Sequence, residues 1–192
     1  MAKILVFDNY DSFTYNLVHY VRSTGNHQVD VFLNDEIPLS DVTKYDGIIL
    51  SPGPGLPYEA GLLKPLIHEY QSTKRIFGVC LGQQAIAEVF GGKLQNLSTV
   101  YHGVATPITF TQPKHYLFED LPDVIEAGRY HSWIVDRKDL PECLNIEAVD
   151  AQGQIMALSH KEFDICGVQF HPESVLTPLG IKIITNWLKK FN

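Results

Sequence analysis

The run Arg75-Ile76-Phe77 passes directly into Gly78-Val79-Cys80-Leu81-Gly82, and few folds can accommodate that succession. A short buried strand has to stop at the cysteine and a helix has to start beside it. Glycine is needed on both sides because larger neighbours would clash in so tight a turn. Gly-x-Cys-x-Gly in this setting looks like a nucleophile elbow with sulfur in place of the usual serine oxygen. The turn forces its middle residue into a strained backbone conformation. A helix from Leu81 to about Phe90 would aim its free N–H groups and positive dipole end at the sulfur, an arrangement that favours thiolate over thiol. The same five residues also suit an inert cysteine buried in a strand–helix turn, so they define a candidate and not yet a site.

The surrounding pattern predicts an α/β fold with an open, mostly parallel central sheet of flavodoxin-like type. Ile4–Phe7, Val29–Leu33, Gly47–Leu50 and Arg75–Val79 are apolar runs bounded by polar turns. Between them, Phe13, Leu17, Tyr20 and Val21 recur at helical spacing, with Asp11 or Ser12 placed to cap the helix. Leu62, Leu63, Leu66, Ile67 and Tyr70 form a second helical stripe, in which Pro65 falls in the tolerant first turn. This βαβ rhythm calls for helices on both faces of the sheet. Beyond Lys93 the segments shorten. Thr106–Phe110, Val124–Arg129, Asn145–Val149, Ile155–Ser159 and Ile165–Gln169 read as antiparallel or mixed additions to the same sheet. Ile183, Ile184, Trp187, Leu188 and Phe191 share one face of a closing helix. No repeat or linker divides the chain, so residues 1–192 are expected to form one domain.

Bulk properties narrow the function classes. A formal net charge of -7 argues against a nucleic-acid partner, which would demand clustered Lys and Arg, and has the wrong sign for an anionic membrane surface. No stretch is apolar for long enough to span a bilayer, and Ile4–Phe7 is too short for a signal-peptide core. Three cysteines without a C-x-x-C pair make neither a disulfide framework nor a zinc site, which suits a reducing, cytoplasmic setting. Cys166 reads as buried filler and Cys143 as a loop thiol. The histidines other than His171 show no metal-ligand spacing. His131 alone adjoins candidate pocket residues, where a structural role outweighs a positioning one.

A cysteine nucleophile needs a base and a group to orient that base. Gly167-Val168-Gln169-Phe170-His171-Pro172-Glu173 offers both. If the strand geometry continues, Val168 and Phe170 face one way, while Gln169, His171 and Glu173 face the other. Pro172 favours extension at His171. A carboxylate beside the imidazole would hold its tautomer and stabilise its protonated form. An oxyanion hole is the third requirement. The N–H of Leu81 is one donor by elbow geometry. Ser51-Pro52-Gly53-Pro54-Gly55, at the carboxyl end of a strand, is the candidate source of the second.

Taken together, Ser51–Gly55, Gly78–Gly82 and Phe170–Glu173 resemble the motifs of the triad, or class I, glutamine amidotransferases in order, spacing and residue type. That resemblance implies a Cys80–His171–Glu173 triad, an oxyanion hole from Gly55 and Leu81, and glutamine as substrate. It carries the glutamine pocket onto Gly53, Pro54, Gly55, Gln84, Ser132 and Trp133. Asp8-Asn9-Tyr10-Asp11-Ser12-Phe13-Thr14-Tyr15-Asn16 and Gly128-Arg129-Tyr130-His131-Ser132 resemble the branch that serves anthranilate and aminodeoxychorismate synthases. The implied partner is a synthase subunit that binds chorismate and Mg²⁺; the chain itself has no feature for either and needs no cofactor. Two positions depart from the common pattern: Val104 stands where many relatives have lysine, and Trp133 where leucine is frequent. Other readings of such a domain are a nucleotide or flavin module, which the missing G-x-G-x-x-G and Walker-type lysine oppose, a glutamine-sensing subunit without catalysis, and an amidotransferase for another acceptor.

Overall fold

A hydrophobic sheet carries the chain from end to end in the computed structural model, which describes residues 1–24 and 27–191. The strands in chain order are β1 Ala2–Asp8, β2 His27–Leu33, β3 Gly47–Leu50, β4 Arg75–Val79, β5 Leu94–Asn96, β6 Val104–Phe110, β7 Val124–Arg129, β8 Trp133–Val135, β9 Leu144–Asp150, β10 Ile155–His160 and β11 Ile165–Val168. Nine of them form one sheet in the order β2-β1-β3-β4-β11-β10-β9-β6-β7. The first five run parallel, and β10, β9, β6 and β7 extend the sheet antiparallel. A mostly parallel half continued by antiparallel strands is the architecture the sequence predicts. β3, β4 and β11 are buried along their whole length apart from half-buried Arg75. That is why they read as unbroken apolar runs without alternation.

Among the described residues four α-helices cover the two faces. α1 (Thr14–Ser23) and α4 (Gly180–Leu188) lie on one side, where Leu17, Val21, Ile183, Ile184 and Trp187 meet Ile4, Phe77 and Val168. α2 (Leu63–Tyr70) and α3 (Leu81–Val89) lie on the other, where Leu66, Ile67, Ala85 and Ile86 meet Leu5, Ile48 and Ile165. Each fully buried aliphatic side chain of this kind contributes on the order of 2 kcal/mol. No helix among the described residues is long and apolar enough to cross a membrane.

Several local readings change. α1 starts at Thr14 with Phe13 at its N-cap and no side-chain cap. Asp11 instead folds back on the Phe13 N–H at 2.8 Å, and Asp8 accepts from the Thr14 hydroxyl at 2.8 Å, so the acidic residues brace the turn ahead of the helix. Phe191 falls in a 3-10 turn beyond α4. β11 ends at Val168, one residue before the predicted boundary. β5 and β8, which pair into a separate two-stranded ribbon, have only three residues each and no periodicity from which to recognise them.

Candidate active site

β4 lies between β3 and β11 in the interior of the sheet and ends at Val79, one residue before Cys80. Cys80 has φ 51 and ψ -101, a left-handed conformation that non-glycine residues adopt only under constraint. The constraint is visible. Its N–H donates to the Val168 carbonyl at 2.8 Å, and its carbonyl accepts from Gln84 N at 3.0 Å. The flanking glycines are there because nothing larger fits. A Cβ on Gly78 would stand 2.5 Å from the Gly82 carbonyl carbon, and one on Gly82 would stand 2.6 Å from the Leu50 carbonyl oxygen. Cys80 therefore sits at the head of α3, with its side chain at the carboxyl edge of the parallel strands.

His171 arrives from the adjacent strand. Its backbone is tied at both ends: its N–H donates to the Gly128 carbonyl at 2.9 Å, and its carbonyl accepts from the Thr177 hydroxyl at 2.7 Å. The imidazole packs edge-on against Tyr130 and Phe13, with ring centroids 4.8 Å and 5.5 Å away. Nδ1 lies 2.7 Å from Glu173 Oε1, and both side chains are buried. The route between them is not the continued strand expected from alternation. The chain turns after Phe170, Ser174 N–H closes on the His171 carbonyl at 3.2 Å, and this turn returns Glu173 to the ring. Burial pulls the His171 pKa down, but the Cys80 sulfur and the Glu173 carboxylate together outweigh it, so the imidazole titrates well above its ordinary 6.5. Among the described residues Nε2 has no hydrogen-bond partner.

A cavity of about 410 Å³ opens beside the sulfur, walled by Gly53–Leu56, Glu59, Cys80, Gln84 and residues 130–133. Gly53, Pro54, Gly55, Gln84, Ser132 and Trp133, the positions onto which the family resemblance carries the glutamine pocket, all line it. Leu81, His171 and Glu173 do not line the cavity. The Ser51–Gly55 loop is stapled from below by Asn9, whose N–H donates to Ser51 Oγ and whose side-chain amide donates to the Ser51 carbonyl, both at 2.8 Å. Gly53 lies so close that a Cβ there would meet Asn9 at 2.6 Å. Gly55 has φ +71, and the Glu59 carboxylate accepts from the Leu56 N–H at 2.8 Å, which fixes the loop's far end.

The opposite wall hangs on a buried cation. Arg129 is fully buried. Its guanidinium pairs with Asp150 at 2.8 Å, donates to Gln154 Oε1 at 2.9 Å, lies over the Tyr101 ring, and donates from Nε to His131 Nε2 at 3.1 Å. An arginine can only donate, so His131 Nε2 must accept and the proton sits on Nδ1, which faces the Trp133 carbonyl at 3.1 Å. Burial and the neighbouring Arg129 charge push the His131 pKa down to about 3. Between an ordinary 6.5 and that value the unfolded chain takes up a proton at this side chain that the folded chain refuses. Stability therefore falls as pH falls through this window. By about pH 5 the cost is on the order of 2 kcal/mol. Thermal melts should show a steeper acid-side loss in the wild type than in His131→Gln; equal slopes would reject this account.

Sequence reasoning missed Phe13, Tyr130, Gln169 and Thr177, all of which act through long-range contacts. Gln169 Nε2 lies 3.5 Å from Cys80 Sγ. His131 takes the structural part the sequence suggests, bridging the Arg129 guanidinium and the Trp133 carbonyl. The Trp133 departure is absorbed because that residue meets Gln84 and His131 through its backbone carbonyl. Among the described residues no group of three or more His, Cys, Asp or Glu is arranged to hold a metal ion.

Comparison with known proteins agrees across the chain. The family model "Glutamine amidotransferase class-I" matches residues 5–191. Anthranilate synthase component 2 of Azospirillum brasilense is 45% identical over 188 residues, covering 96% of this chain and 94% of that protein. Aminodeoxychorismate/anthranilate synthase component 2 of Bacillus subtilis is 41% identical over 190 residues, covering 98% and 96%. In a longer relative, the bifunctional protein TrpGD of Thermotoga maritima, this chain matches at 41% identity but spans 32% of the length. A crystal structure from Thermoplasma acidophilum, described as that of a candidate GMP synthase subunit, superposes with a TM-score of 0.88 at 28% identity, covering 98% of this chain and 93% of that one.

Proposed function

The chain belongs to the class I glutamine amidotransferases, and from that premise we propose that it is the glutaminase subunit of a chorismate-using synthase, with residues 1–192 as one domain of this type and anthranilate synthase as the assembly it serves. The observation that carries the reading is the buried His171–Glu173 pair, Nδ1 to Oε1 at 2.7 Å, near enough to Cys80 for the sulfur to raise the imidazole's pKa, with Cys80 itself on the wall of a cavity large enough for an amino acid.

In the proposed reaction the Cys80 sulfur attacks the side-chain amide carbon of glutamine, and the carbonyl electrons move onto oxygen. The N–H groups of Gly55 and Leu81 stabilise that oxyanion; one such donor is worth on the order of 3 kcal/mol. His171 delivers its proton to the departing nitrogen, the C–N bond breaks, and ammonia leaves a thioester behind. The neutral imidazole then takes a proton from water, whose oxygen attacks the thioester, releasing glutamate and restoring the sulfur. Glu173 keeps Nδ1 protonated and stabilises the imidazolium. Gln84 and the 130–133 segment bind the amino-acid end.

Free ammonia would become ammonium at neutral pH and lose its nucleophilicity, so a sheltered transfer to a partner is required. Surface chemistry beside the site suits docking: Val175, two residues past Glu173, is 91% exposed, and Tyr15 is 66% exposed beside Asn16, whose amide reaches the Glu173 carbonyl. The name of the B. subtilis relative joins two synthases, which favours one further reading, a subunit shared between them. Co-purification from the source cells, followed by assay with chorismate, Mg²⁺ and glutamine, tests both. We expect a synthase subunit to accompany the chain, glutaminase activity to rise in the complex, and anthranilate to form. A full glutaminase rate from the isolated chain would reject coupling, and aminodeoxychorismate as sole product would reject the anthranilate assignment.

A further inference from the structure

Gln169, the residue that follows β11, is fully buried and has no part in the reaction as written above. Its Nε2 lies 3.5 Å from Cys80 Sγ, and its Oε1 lies 3.1 Å from Gln84 Nε2. The same Gln84 nitrogen lies 2.8 Å from the Trp133 carbonyl oxygen. The direction of these contacts follows from the carbonyl, which can only accept. The Gln84 end that meets it must be the NH₂ group, whose second hydrogen then meets Gln169 Oε1. With its oxygen so engaged, Gln169 turns its nitrogen to the sulfur. The Trp133 carbonyl is fixed in turn, because His131 Nδ1–H donates to it as well, at 3.1 Å.

We infer that Gln169 is a positioning residue that keeps Cys80 ready for attack by donating an amide hydrogen to its sulfur, in an orientation set by Gln84 and the Trp133 carbonyl. The inference rests on Cys80 being the nucleophile. A donor aimed at sulfur is stronger when the sulfur carries charge, so it favours the thiolate and holds it at one point of the cavity wall. A reversed amide would present oxygen and oppose the charge.

The test is the pH dependence of Cys80 alkylation by iodoacetamide, with the labelled peptide identified by mass so that Cys143 and Cys166 do not contribute. The ionisable groups around the sulfur and its imidazole are His171, Glu173, Asp11, Glu59, Tyr130 and His131; all remain in every variant used. Gln169→Met, of similar length but without a donor, should move the midpoint up by about one pH unit. Gln169→Glu, which turns a carboxylate to the sulfur, should move it further. Gln169→Met should also lower kcat/KM for glutamine about tenfold at neutral pH through kcat, with KM little changed. A midpoint equal to the wild type, or a loss carried by KM alone, would overturn the inference. Should both Gln169 variants misfold, Gln84→Met serves instead: it frees the Gln169 amide to turn and should raise the midpoint in part, and no rise would again overturn the inference. Labelling reads the sulfur whether or not it turns over glutamine. A Gln169-dependent midpoint in a chain without glutaminase activity would therefore reject the proposed function alone.

Discussion

Cys80→Ala is expected to lower glutamine hydrolysis by about 10⁴-fold or more while the protein melts within a few degrees of the wild type, about 1 kcal/mol or less in stability. The large effect follows from chemistry: without sulfur there is no thioester, and the remaining donors can only bind substrate. The small effect follows from the backbone. Alanine keeps a Cβ and so keeps the strained φ of 51, and the loss is one sulfur atom at the cavity wall. A companion variant separates the two. Cys80→Gly should be equally inactive yet melt higher than Cys80→Ala, because glycine adopts this conformation without strain. The release is on the order of 1–3 kcal/mol, less the extra entropy that glycine loses on folding. Glutamine turnover in well-folded Cys80→Ala above about one hundredth of the wild-type rate would reject the assignment of the nucleophile.

Gly180→Ala is expected to be the most damaging conservative change away from the cavity, costing about 3 kcal/mol and roughly 6–12 °C of Tm. Gly180 opens α4 directly against the peptide that joins Pro172 to Glu173. A Cβ there would run into the Pro172 carbonyl oxygen and would stand 2.6 Å from the carbonyl carbon and 2.8 Å from Pro172 Cα. These are backbone atoms, so a side-chain rotation cannot relieve the clash. Either α4 moves off Phe77 and Val168 or the 171–173 segment shifts. The second outcome takes the imidazole away from the sulfur, so kcat should fall by about tenfold or more in whatever fraction folds. Melting and steady-state kinetics on the same preparation decide the matter. A normal Tm with normal kcat would mean that the contact between α4 and this segment is slack.

Why one of these residues was legible in the sequence and the other was not has a physical basis. Cys80 is announced by its neighbours, because a strand ending in a tight turn onto a helix demands particular small residues within a span of five. The parallel half of the sheet is equally legible, since strands buried on both faces must be apolar throughout. Gly180 carries no such mark. Its importance comes from a carbonyl eight residues earlier that is pressed against it only after α4 docks. Phe13, Tyr130 and Gln169 are silent for the same reason: each looks like ordinary core until its partner arrives from another part of the chain. Glu173 was found by partly mistaken reasoning. Alternation along a strand suggested the right side of the imidazole, whereas a turn closed from Ser174 onto His171 puts it there. The ribbon of β5 and β8 was invisible because three residues are too few to display a period.

The strand order sets when this chemistry can begin. β11 comes last in chain order among the described strands, yet its place is in the interior of the sheet, between β4 and β10. A nascent chain that stops short of it already contains the thiol, the proline-rich loop and every residue of the cavity lining, but the slot that brings the imidazole to them stands empty. On the proposed chemistry, glutamine hydrolysis therefore waits until β11 and the His171 segment have been made and have entered that slot.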